Sequence, residues 1–160
     1  MQGEEMAKHY DFKKLSTFIK IYGIAQVFLI GLLVYMAIYF QAGLQAEGMP
    51  QRFFKCIIAT FLIELALFYP INKFAASEAE REINSSMVGL DVEELKSFRN
   101  KRLLGDTIKW AVFIFYIVFF YRAPQNKTIL CVTFFSFILT ILTYLQCFNF
   151  SAKRRMKEKS

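Results

Sequence analysis

Apolar residues run in long uncharged blocks along this chain, with the charges gathered between and beyond them. Ile21 to Phe40 carries no charge at all, Cys56 to Asn72 is interrupted only by Glu64, and Thr128 to Phe150 is again uncharged. A hydrocarbon core of ~30 Å needs ~20 apolar residues in helical form, so each block predicts a membrane-spanning helix. A shorter block, Trp110 to Tyr121, reaches that length only with Leu104 to Lys109 added, which puts Asp106 and Lys109 at the membrane interface. Lysine can extend its head toward water, and an acid near a helix start is favoured by the dipole. The expectation is an all-α integral membrane four-helix bundle forming one domain over 1–160, with spans near 17–40, 53–74, 104–121 and 128–150.

Between the second and third spans, residues 75–103 are polar but rich in helix formers, with no breaker from Ala75 to Glu82. Gly89 suits a helix C-terminus, and Asp91 with Glu94 has capping-box spacing. The segment predicts a cytoplasmic helical hairpin between helices 2 and 3. Folding it about Gly89 and Leu90 sets Glu78 and Glu82 opposite Arg102 and Arg99. Read blandly it is a solvated connector; read functionally it is a docking arm.

Charge then gives direction. Of the 20 Lys and Arg residues, sixteen fall on the side that holds both termini and the 75–103 segment, against four in the two opposite loops. The positive-inside rule places both termini in the cytoplasm, in an inner or plasma membrane. No cleavable signal is expected, since a charged segment precedes the first apolar block and no small-residue cleavage pattern follows it. The net charge of +7 fits anionic lipid headgroups; nucleic acid is not expected as a partner, because the aromatics lie inside the apolar blocks and are not interleaved with the basic residues. At 56% hydrophobic residues and a mean hydropathy of +0.34, the chain is more apolar than a soluble domain of this size.

Polar residues inside the spans narrow the chemistry. Glu64 is the most expensive, at ~2.5 to 3.5 kcal/mol for an acid at a helix centre. Depth counting at 1.5 Å per residue sets Gln26 and Thr140 at its level, so the three are expected to form an intramembrane polar cluster. On the fourth span Thr133, Ser136, Thr140, Thr143 and Cys147 recur at helical spacing and predict a packing stripe; Gly23 and Gly31 suggest a similar seam on the first. Pro70 predicts a kink near the end of the second span. The third span is bulky on every side and is expected at the periphery. A shift of 75 residues aligns Cys56 with Cys131 and Tyr69 with Tyr144, a hint of a duplicated helix pair in which the two cysteines share a depth as small apolar groups.

The single histidine, His9, lies outside the spans, which leaves no two-histidine haem or metal site among them. No GxSxG, HExxH, Walker A or GxGxxG pattern occurs, and neither a cofactor nor catalysis is expected. The leading expectation is a non-catalytic subunit or assembly factor of a larger membrane complex, with a protein partner or a homo-oligomer. The alternative is a small homo-oligomeric transporter or channel that uses Glu64 for proton or cation coupling.

Overall fold

The computed structural model describes residues 9–122 and 125–159. Residues 1–8, which include one of the sixteen basic residues, Lys8, therefore lie outside the described part of the expected domain. Four helices account for nearly everything described: α1 (Lys13–Ala46), α2 (Gln51–Ser85), α3 (Val92–Arg122) and α4 (Lys127–Lys159). All four are long and apolar enough to cross a membrane. At 1.5 Å per residue they measure about 46 to 53 Å, so each is longer than the ~30 Å of a hydrocarbon core.

The ends of the helices follow local chemistry. Asp11 accepts the amide of Lys13 at the start of α1. Gly48, at φ +71, takes the left-handed conformation that closes α1, and Pro50 then sets the entry to α2. At the start of α3, the Asp91 amide donates to Glu94 at 3.3 Å, one half of the expected capping box, while the Asp91 carboxylate takes the adjacent Val92 amide and not that of Glu94. Asn126 caps α4 by accepting the amide of Thr128.

The arms of the expected hairpin are the continuous ends of α2 and α3. They are joined by residues 86–91, with Gly89 at φ +90. Residues 9–11 pair with this link: Tyr10 and Met87 form an isolated antiparallel bridge, Asp11 N donates to Ser86, and Val88 N donates to His9. This end of the bundle, which carries the start of α1 and the end of α4, is called the proximal end below.

The most extensive helix contact joins α2 and α4, which run parallel. Two apolar clusters hold the bundle at either end. Proximally, Leu15 and Ile19 of α1 pack on Ala75, Ala79 and Ile83 of α2 and on Phe148 and Ala152 of α4. Distally, Phe40 and Leu44 pack on Phe53, Cys56, Cys131 and Phe135. Cys56 and Cys131 are both buried free thiols. The alanines of the proximal cluster have no exposed surface, because small side chains let the backbones approach closely.

Helix α3 is fastened more lightly. Only Gly105 and Tyr116 of its residues are buried, and large side chains from Trp110 to Tyr121 are exposed on most sides. Gly23 and Gly31 form no seam within this chain, since nothing lies within 4 Å of where a Cβ would stand at either. Gly105 is the glycine at a close contact: a Cβ there would collide with the carboxylate of Glu78 and lie 3.0 Å from Arg81 Nη1.

Candidate functional site

One group of polar side chains sits between the apolar clusters, and a second lies at the level of the proximal cluster. The middle one centres on Glu64. The Thr143 hydroxyl donates to Glu64 Oε1 at 2.6 Å and that of Thr140 to Oε2 at 3.5 Å. Helical spacing makes this possible, because residues three apart on α4 lie on one face and both reach the parallel α2. Thr140 also shares a 3.4 Å hydrogen bond with the Tyr116 hydroxyl, which reaches Ser136 at 3.3 Å. Gln26, placed at the same depth by sequence, makes no such bond: its Nε2 is buried without a partner. The expected bond from Gln26 to Glu64 is thus not among those that hold the Glu64 carboxyl.

The stripe on α4 divides by role. Thr133 and Ser136 are buried, and Thr133 turns its hydroxyl back to the carbonyl of Ile129. Ser136 and Thr140 meet α3 through Tyr116, Thr140 and Thr143 meet α2 through Glu64, and Cys147 packs, partly buried, against the proximal apolar cluster. Pro70 sits inside α2, and the helix continues through it to Ser85.

The proximal group is denser and centres on Glu78, whose side chain is only 3% exposed. Arg81, one turn along α2, approaches it at 2.7 Å. Lys109 reaches it from α3 at 2.9 Å, and the Tyr144 hydroxyl donates to it from α4. A carboxylate so buried needs compensation from several donors at once, and three helices supply it. Burial alone would raise the Glu78 pKa; the Tyr144 hydroxyl, Lys109 and Arg81 together outweigh burial and hold it below the ordinary 4.5.

This arrangement revises the expected hairpin pairing. Glu82, and not Glu78, meets Arg102, at 3.6 Å, while Glu78 takes Lys109 and its own-helix Arg81. The register is set by Gly105, which lets α3 lie directly against Glu78 and Arg81; Arg81 Nη1 then donates to the Lys101 carbonyl at 2.6 Å. Sequence reasoning did not single out Gly105 or Tyr144. The available signal was the one glycine in an otherwise bulky third helix.

Around the ion group lies a small cavity of about 80 Å³, lined by Glu78, Arg81, Glu82, Arg102, Asp106 and Lys109 with four aromatic side chains. Beside it a groove of about 1080 Å³ opens between α2, α3 and α4. Among the described residues, no group of three or more His, Cys, Asp or Glu side chains is placed to hold a metal ion.

No protein-family model matches the chain, and neither a curated protein nor a solved structure matches it.

Proposed function

We propose that the chain is a four-span integral membrane protein with both termini cytoplasmic, acting without catalysis as a subunit or assembly factor of a larger membrane complex. The observation that carries this reading is α3. It buries only Gly105 and Tyr116 in its own bundle, while Trp110, Phe115, Ile117, Val118 and Tyr121 remain uncovered. Aromatic side chains of this size supply contact area to a neighbouring protein at low entropic cost. The basic proximal end adds attraction to anionic headgroups, ~1 kcal/mol for each Lys or Arg near the surface.

The polar layer at Glu64 supports a structural use of that acid. Two threonine hydroxyls already satisfy its oxygens, as a carboxyl that joins helices requires. A photoreactive residue at Phe115 or Val118 is expected to form an adduct of one defined protein mass in native membranes, and one at Val27 or Phe28 on α1 to label lipid only. Absence of a protein adduct on α3 would remove the partner. Loss of proton or cation flux in liposomes on Glu64→Gln, with the oligomer unchanged, would replace the subunit reading with the transporter.

A further inference from the structure

The groove beside α3 has the dimensions and polarity of a lipid. Helix α3 meets its neighbours at Gly105, at Lys109 through Glu78, and at Phe113 and Tyr116 against Phe137, and a groove opens beside these contacts. The gap is walled by Leu67, Pro70 and Phe74 of α2, Ile141 of α4, and Ile108 and Phe113 of α3, and encloses about 1080 Å³. That is at the upper end of cavities that hold small organic ligands. From Asp106 to Tyr116 is ten residues, or about 15 Å along the helix, half the ~30 Å hydrocarbon core and hence the depth of one leaflet. Tyr116 closes the deep end through its bonds to Ser136 and Thr140.

The shallow end is charged. Asp106, Lys109 and Tyr144 line both the groove and the small polar cavity next to it, so the apolar space leads directly into the ion group. That cavity has three carboxylates and three basic groups and is balanced in charge. A purely anionic headgroup would face as much repulsion as attraction there. A headgroup with both a phosphate and a primary ammonium finds partners for each: Lys109 and Arg102 for the phosphate, Asp106 and Glu82 for the ammonium. Asp106 is 49% exposed, with Lys109 as its ion-pair partner at 3.3 Å, and Arg102 is 42% exposed and only loosely paired at 3.6 Å. Both can take further bonds.

We infer that the α2–α3–α4 groove is a binding site for a zwitterionic phospholipid with a primary-amine headgroup, its acyl chains between the helices and its headgroup at Asp106 and Lys109. The inference rests on the proposed membrane insertion but not on the proposed protein partner. It is tested on the full chain in a mild non-ionic detergent, given equal amounts of phosphatidylethanolamine, phosphatidylcholine and phosphatidylglycerol, with retained lipid read by native mass spectrometry. The ethanolamine lipid is expected to be retained about tenfold over the choline lipid, whose methylated ammonium cannot donate hydrogen bonds to a carboxylate. Asp106→Asn should remove that preference while leaving total retention within about twofold. Ala111→Phe, which places a ring in the groove, should lower retention of all three about tenfold. Equal retention of the three lipids by the unaltered protein, preference for phosphatidylglycerol, or an unchanged preference in Asp106→Asn would each overturn the site. Failure of the chain to insert into membranes would instead sink the underlying four-span reading.

Discussion

Replacing Gly105 by alanine tests the contact that positions α3. In an open helix the added methyl stabilises by up to ~1 kcal/mol, because glycine is the poorer helix former. At Gly105 the same methyl meets the Glu78 carboxylate and Arg81. Neither can turn away freely: Glu78 is held from three directions by Arg81, Lys109 and Tyr144, and Arg81 also bonds the Lys101 carbonyl. Helix α3 has to step outward, at the ~1 to 3 kcal/mol typical of overpacking. If the step separates Lys109 from Glu78, the buried charge loses a partner and the cost approaches ~3 to 5 kcal/mol. Gly23→Ala is the control, since nothing lies within 4 Å of its added methyl and the propensity gain cancels in the comparison. The expected gap between the two variants is therefore about 1 to 3 kcal/mol, with Gly105→Ala the less stable. Unfolding in mixed micelles can be followed by fluorescence of the single tryptophan, Trp110, beside Lys109 on α3, with circular dichroism as a second probe. A gap under about 0.5 kcal/mol, the range of ordinary surface substitutions, would refute the tight contact at Gly105.

Because the Glu78 pKa lies below its ordinary 4.5, its charge contributes stability above that value, and the contribution is lost as pH falls through the folded-state value. Unfolding measured from about pH 6 to about pH 3 should therefore show a steeper loss in the wild type than in Glu78→Gln; parallel curves would contradict the ion group. Thr143→Val should cost about 0.6 to 2 kcal/mol by leaving Glu64 Oε1 without its donor, measured in the same micelles. Reporters fused after Gly48, Gly89 and Gln125 should give a cytoplasmic signal from Gly89 alone.

The four helices were legible because each is built on a long apolar block, and such blocks are local in sequence. The third was hardest to read, since its Asp106 and Lys109 look like obstacles until their partners are known; Lys109 answers Glu78 on another helix. Depth was also legible, as the levels of Glu64 and Thr140 show, because rise per residue is fixed. Rotation was not. Whether Gln26 turns toward Glu64 depends on how α1 lies on α4, and only packing decides that. Counting outward from Gly89 misplaced the pairs of Glu78 and Glu82 because the close approach at Gly105 fixes how α3 lies on α2, a contact that a count along one hairpin omits. The alignment offset of 75 residues corresponds to a real neighbour relation, since Glu64 bonds residues 76 and 79 positions onward, whatever its origin.

That neighbour relation also sets a timetable. Two of the acids on α2 find hydroxyl partners on α4, the last helix to be made: Glu64 on Thr143, 79 residues later, and Glu78 on Tyr144, 66 residues later. At about 5 to 20 residues per second, the 79 residues take roughly 4 to 16 s to synthesise. Through that interval the nascent chain holds a carboxyl with no lasting partner of its own, and the helix that will supply one has not left the ribosome. An acid in that position has to stay near water until then, so the last quarter of this chain completes what its second quarter began.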